Sequence, residues 1–284
     1  MSDAETPTGG AIPGPAEVLR ALERKARRRF GQNFLTRPET ADRIASLAEL
    51  GPGDRVLEIG PGLGQLTQAL LKTGASVRAL ELDDDLADYL RVTFPSLDLV
   101  SGDAMKVDFS EVAPGEGWAI CANLPYNVAT PLIHRLLDEG NRFSRMVLMF
   151  QKEVAARLAA KPHTKAYGAL TVRVAARAHA RMAMTLPPGA FHPRPKVDSG
   201  VVVFTPWETP RFGPAGQVAF DAAVKAGFSQ RRKILENALK ASYGKEGARV
   251  AVSETVGLGR RAETLDFEEW VALAAALAMG ASSP

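Results

Sequence analysis

A chain of 284 residues with 46% apolar and 24% charged content can bury a full core, which excludes a disordered chain. Its single cysteine, Cys121, excludes a disulfide framework, and a net charge of +3 is too mild to name a polyanionic partner on its own. The longest apolar run near the C-terminus, Val271 to Met279, is too short to span a bilayer, so we expect a protein of the reducing cytoplasm with no membrane partner.

In chain order, residues 1–15 are rich in Pro, Gly, Thr and Ala without an apolar signal core and read as a disordered tail. A helix is expected from Pro15 to about Arg29, with Val18, Leu19 and Leu22 at helical spacing, and a second follows Thr36-Arg37-Pro38. The connector Phe30-Gly31-Gln32-Asn33-Phe34-Leu35 is unusually rich in aromatic and amide side chains. From Arg55 onward short apolar runs alternate with helical stretches: strands at 55–59, 76–81, 97–101, 118–122 and 145–150, helices at 63–73, 84–93 and 130–139. Such alternation implies right-handed crossovers and a mostly parallel sheet covered on both faces, an α/β fold. A helical stretch is expected from Lys152 to about Arg177. Ala180 to Leu186 and Ser199 to Thr205 then read as an antiparallel edge pair, because Pro187 to Asp198 is too short for a helical crossover. Beyond Pro206-Trp207 the breakers Pro210, Gly213, Pro214 and Gly216 mark a boundary, followed by helical patterns alone. The expected organisation is a tail (1–15), a catalytic domain (16–207) and a small all-α domain (208–284).

Two basic clusters stand far apart in sequence, Arg24, Lys25, Arg27, Arg28 and Arg29 in one and Arg231, Arg232 and Lys233 in the other. Converging in space they would track phosphates; separately they are solvated helix faces.

Chemistry concentrates at the strand ends. Glu58-Ile59-Gly60-Pro61-Gly62-Leu63-Gly64 closes one strand and opens a helix, where glycines permit a tight turn and close backbone approach to a nucleoside. Dinucleotide enzymes use a similar device. Glu81 ends the next strand, about 20 residues on, where a carboxylate can accept both hydroxyls of a ribose. Asp83 beside it reads as a helix cap. Asp103 follows the third strand, placed to accept from an adenine amine. After the fourth comes Asn123-Leu124-Pro125-Tyr126: an amide oxygen and a backbone carbonyl to accept from an exocyclic amine, and a ring to stack on the base. A strand-end turn with a helix cap is the plain alternative. The histidines at 134, 163, 179 and 192 show no metal-ligand spacing, so no metal is expected.

Together these residues resemble the S-adenosylmethionine-dependent rRNA adenine dimethyltransferases, specifically the small-subunit type. The resemblance runs from about Arg28 to Thr205 and adds Gln151-Lys152-Glu153-Val154 and Phe191-x-Pro193-x-Pro195-Lys196-Val197-Asp198-Ser199, with Phe228 to Lys233 extending it. It implies a Rossmann-like class I methyltransferase sheet, mostly parallel with an antiparallel strand. It also implies that Gln32, Asn33, Leu35, Gly60, Gly62, Glu81, Asp103 and Asn123 contact S-adenosyl-L-methionine. Asn123 and the Leu124 carbonyl, held by Pro125, would orient the amine, with Tyr126 and Phe191 as the two faces of the base. For Phe191 an aromatic plug under a proline-rich loop is the alternative. The implied substrate is 16S rRNA in the immature small subunit, met by a monomer. The rival readings are a macrolide-resistance type acting on 23S rRNA, and a noncatalytic ribosome assembly factor. A nicotinamide dehydrogenase would leave Asn123 to Tyr126 unexplained.

Overall fold

The computed structural model describes residues 12–22, 32–125, 128–230 and 232–280. The first basic cluster, Phe30, Gly31, Tyr126, Asn127 and Arg231 therefore lie outside the described residues, as does most of the tail. The first helix, α1 (Pro15–Ala21), is described only as far as Leu22.

A short strand, β1 (Phe34–Leu35), and helix α2 (Pro38–Ser46) precede the alternating region. There the elements are β2 (Arg55–Ile59), α3 (Gln65–Leu71), β3 (Ser76–Glu81), α4 (Asp84–Thr93), β4 (Asp98–Ser101), α5 (Phe109–Val112), β5 (Trp118–Asn123), α6 (Ala129–Leu137) and β6 (Phe143–Gln151). The chain continues through α7 (Lys152–Leu158), α8 (Ala169–Ala175), β7 (Ala178–Leu186), β8 (Phe191–His192) and β9 (Ser199–Pro206). Among the described residues, seven strands form one sheet in the order β4-β3-β2-β5-β6-β9-β7. β2 to β6 pair in parallel, while β9 runs antiparallel to both β6 and β7.

The strand sequences explain both covered faces. Along β6, Met146, Leu148 and Phe150 enter one apolar cluster with Leu132, Ile133 and Leu136 of α6, while Val147 and Met149 enter another with Ile44 of α2 and Leu66 and Leu70 of α3. Successive side chains on a strand face opposite sides, so a strand buried on both must be apolar throughout. Each fully buried Leu, Met or Phe contributes roughly 1.5–3 kcal/mol. Cys121 is wholly buried in the second cluster, and burial pushes its thiol pKa up, so it is an inert apolar residue.

The expected antiparallel pair forms at the sheet's edge, but its two strands are not equivalent. β9, with its run of Val201, Val202, Val203 and Phe204, is buried between β6 and β7; β7, which carries exposed His179 and Arg181, is the edge. The helix expected from Lys152 to Arg177 is instead two helices. The segment 159–168 contains Pro162, which cannot continue a helix, and His163, held at φ 64°, the left-handed region.

A pairing that sequence periodicity did not suggest is the ribbon of β1 with β8, which sets Phe34 opposite His192 and Leu35 opposite Phe191. Thr36 extends it, its backbone N–H donating to the Ala190 carbonyl at 3.0 Å. Two residues per strand are too few to show a period.

After the sheet, α9 (Pro214–Gly227), α10 (Leu235–Tyr243), α11 (Lys245–Thr255) and α12 (Phe267–Gly280) pack around Trp270. Their core also takes in Tyr167 and Val172, and the Tyr167 hydroxyl donates to the Leu265 carbonyl at 2.8 Å. Arg177 ties the same helices to the sheet by donating to Asp138 at 2.7 Å and to Asp221 of α9 at 2.8 Å.

Candidate active site

A cavity of about 270 Å³ opens at the carboxyl ends of β2, β3, β4 and β5. Its wall includes all of Gln32, Asn33, Leu35, Gly60, Gly62, Glu81, Asp103 and Asn123, and also Leu124 and Pro125. A parallel sheet places its ligand at this edge, because neighbouring crossovers leave on opposite faces there and open a crevice.

The glycine loop builds the floor. Gly60, Gly62 and Gly64 have φ of 69°, 62° and 83°, a region that side chains rarely adopt. At Gly62 a Cβ would also sit 2.8 Å from the Phe34 ring, so both backbone and packing require glycine.

Glu81 is 6% exposed and accepts three backbone hydrogen bonds: Gly62 N–H at 3.0 Å, Leu82 N–H at 2.9 Å and Asp83 N–H at 2.9 Å. Burial raises its pKa, and those three donors oppose the rise. A carboxylate offers about four acceptor sites, so the loop is locked while acceptor capacity remains for a hydroxyl. Asp103 accepts the Met105 N–H at 2.9 Å, which fixes the turn after β4. Asp83 stands at the N-cap position of α4, but its side chain makes no cap hydrogen bond; it accepts from Gln32 Nε2 at 3.1 Å. That bond ties the connector to the end of β3, a role different from the expected cap.

Asn123 ends β5. Its Nδ2 donates to the Asn33 carbonyl at 2.7 Å. A carbonyl can only accept, so this contact fixes which way the amide faces and leaves Oδ1 as the acceptor. Leu124 is 2% exposed and lines the cavity beside it.

Phe191 is placed differently from the wall residues. It is 2% exposed, belongs to the apolar cluster of Leu35, Ile44 and Leu186, and does not line the cavity. This is the geometry of an aromatic plug behind β1.

Two wall residues carry polar atoms that the sequence did not mark for the cavity. Glu58 is 1% exposed and its Oε2 has no hydrogen-bond partner among the described residues; Gln65, 9% exposed at the first position of α3, has an unpartnered Nε2. Burial is the main reason the Glu58 carboxyl is pushed up to about 8, and the nearby Glu81 adds to it. The Thr67 hydroxyl lowers it in part, though it makes no hydrogen bond of normal geometry itself. Glu58 stands two residues before Gly60, whereas Gln65 had only its place after Gly64 as a signal.

These features fit S-adenosyl-L-methionine. Acceptors for a ribose and an amine stand at successive strand ends, a glycine turn with open space at Gly60 lies between them, and two unpaired polar atoms line the same cavity.

The comparisons with known proteins agree with this geometry. A family model described as ribosomal RNA adenine dimethylase matches residues 23–279. The chain is 43% identical over 263 residues to a ribosomal RNA small subunit methyltransferase A of Geobacter metallireducens, covering 89% of this chain and 96% of that one. It is 44% identical over 265 residues to the protein of the same name from Thermosynechococcus vestitus, covering 89% and 97%. Among solved structures, a dimethyladenosine transferase from Plasmodium falciparum superposes with a TM-score of 0.73 at 27% identity, covering 84% of this chain and 95% of that one. The 23S rRNA methyltransferase ErmE superposes with a TM-score of 0.69 at 26% identity, covering 87% and 100%. With the family model spanning nearly the whole sequence and its strand-end residues gathered on one cavity, the chain belongs to the ribosomal RNA adenine dimethylase family.

Proposed function

We propose that this protein transfers methyl groups from S-adenosyl-L-methionine to the exocyclic amines of two adjacent adenosines near the 3′ end of 16S rRNA, forming dimethyladenosine in the immature small ribosomal subunit. The observation that carries the reading is Asn123, whose amide is oriented by Asn33 so that its oxygen remains an acceptor at the cavity wall.

The bound cofactor supplies a methyl group already activated by its sulfonium. What the chain must do is position the nucleophile, since an adenine amine has its lone pair delocalised into the ring. Asn123 Oδ1 and the Leu124 carbonyl would each accept one N–H of the amine, favouring a more tetrahedral nitrogen aimed at the methyl group. Glu81 would take a ribose hydroxyl with the acceptor capacity its three backbone bonds leave, and Asp103 the cofactor's adenine amine. Gln32, Asn33 and Leu35 would close the cavity from the connector, which the β1–β8 ribbon and the Gln32–Asp83 contact hold in place. The target base must leave its stack to enter, and aromatic faces offset part of that cost. Tyr126 is one such face in this reading. Phe191 would serve as the other only if the residues packed around it moved aside, because it is buried as placed.

The reading takes residues 16–207 as the catalytic domain and 208–284 as the unit that chooses the RNA, in a cytoplasmic monomer. Among the described residues, no helix is long and apolar enough to cross a membrane.

The second reading, methylation of 23S rRNA, has the ErmE superposition in its favour. The relatives of over 40% identity carry the small-subunit name, which favours the first. Incubation with labelled cofactor and naked rRNA, small subunits or large subunits, all lacking the modification, separates the two. Label in small-subunit rRNA is expected; label confined to large subunits would overturn the assignment.

A further inference from the structure

The turn that carries Asp103 is braced by a side chain of α6. Within the turn, the Lys106 and Val107 N–H groups donate to the Asp103 carbonyl at 2.7 and 2.9 Å, and the Met105 N–H donates to the Asp103 carboxylate at 2.9 Å. Arg135 takes two of the turn's acceptors: Nη1 donates to the Ala104 carbonyl and Nη2 to the Val107 carbonyl. A guanidinium is a rigid planar fork, so one side chain fixes both carbonyls relative to each other and to the helix.

The charge of Arg135 is spent on this turn. Arg135 enters none of the salt bridges among the described residues, and its guanidinium carbon lies 4.7 Å from the centroid of the Phe109 ring, which is itself buried against Phe143. Val128, Leu132 and Arg135 follow one another at i, i+4 and i+7, a single helical stripe. The first two line the cavity, as do Asp103, Ala104 and Met105, whereas Arg135 does not. Arg135 thus ends a stripe that begins at the cavity, and it reaches the Asp103 turn from outside.

A carboxylate reads an amine only from the right place, because a hydrogen bond weakens steeply with misalignment. We propose that Arg135 is a positioning residue that holds Asp103 where it accepts from the cofactor's adenine amine, and so sets how well the protein tells adenine from a 6-oxopurine. This rests on the role of Asp103 in the reading above and extends it to a residue that touches no part of the ligand. An amine at C6 donates to a carboxylate, whereas an oxo group there can only accept and is repelled by it. Removing the brace leaves the Ala104 and Val107 carbonyls without their donor, and they turn to water and carry the turn with them. Both the attraction and the repulsion then weaken.

Isothermal titration of the full-length protein with S-adenosylhomocysteine and S-inosylhomocysteine, an amine and an oxo group at C6 of the purine, tests this. Wild type is expected to prefer the adenine ligand. Arg135→Met keeps the stem but not the fork; it is expected to weaken the adenine ligand about 10-fold and the inosine ligand much less, so the ratio of the two affinities falls. Arg135→Lys, a point charge that can reach one carbonyl without gripping both, is expected to recover part of the ratio. An unchanged ratio in Arg135→Met, whether both ligands weaken together or neither does, would overturn the proposal, since a merely structural brace lowers Tm and treats both ligands alike. Should that variant fail to fold, an unchanged ratio in Arg135→Lys would overturn it equally. Wild-type protein that binds both ligands with the same affinity would instead overturn the role given to Asp103.

Discussion

The two halves of the cavity are finished to different degrees. On the cofactor side, the parts hold one another: Glu81 grips the glycine loop and the start of α4 through three backbone donors, and Asp103 fixes its own turn. On the acceptor side, Asn123 is oriented by a single bond to the connector, and Phe191 is buried behind β1. A site whose donors and acceptors are already placed loses little on binding its ligand. In the proposed reading a flipped base would have to complete its own pocket, and the difference suits a small cofactor that binds by itself and an RNA whose arrival is selected elsewhere.

The largest effect that sharpens this contrast is expected at Phe191. As a plug, Phe191→Ala should cost about 3–5 kcal/mol in chemical denaturation. A variant of unchanged stability that loses about 1–3 kcal/mol of RNA affinity would move Phe191 to the acceptor side.

A comparable effect is expected from pH on the cofactor side. Below pH 4.5 Glu58 is protonated in both folded and unfolded chains. Between 4.5 and about 8 the unfolded chain ionises while the folded one keeps its proton, so stability falls as pH rises through that window and levels off above it. The fall should reach roughly 4–5 kcal/mol at 1.36 kcal/mol per pKa unit. Glu58→Gln should remove it, apart from the share of Glu81, whose raised pKa acts with the same sign. Unfolding curves collected across pH for both proteins check this, and identical slopes would show that Glu58 is not held neutral by burial.

A smaller loss is expected at Gly62. Gly62→Ala would strain a backbone at φ 62° by roughly 1–2 kcal/mol and push on Phe34. Cofactor affinity should fall further than Tm implies, since Gly62 N–H is a donor to Glu81. A fall in Tm alone would mean that the loop can shift without harm to the cofactor.

The cofactor side was the more legible half in the sequence, and for a physical reason. Its groups sit at the ends of strands whose apolar runs are unmistakable, so Glu81 and Asp103 could be placed by counting along the chain. The contacts that complete the acceptor side come from afar. Asn33 meets Asn123 across 90 residues, and Leu35 meets Phe191 through a ribbon of two residues per strand. No local period encodes such meetings. The same limit left the plug as one of two readings of Phe191 and hid the contact of Asp83 with Gln32. The break between α7 and α8 could have been read from Pro162, whereas the exposure of β7 rather than β9 follows from β7 alternating and β9 being continuously apolar.

The most direct test is single-turnover methyl transfer by Asn123→Ala to small subunits lacking the modification, at saturating cofactor. Removing one preorganised polar group that acts on the reacting atom costs about 10²–10³-fold in rate. The expected result is a loss of that size with the circular dichroism spectrum unchanged. A variant that transfers methyl groups at near the wild-type rate would contradict the claim that Asn123 aims the amine.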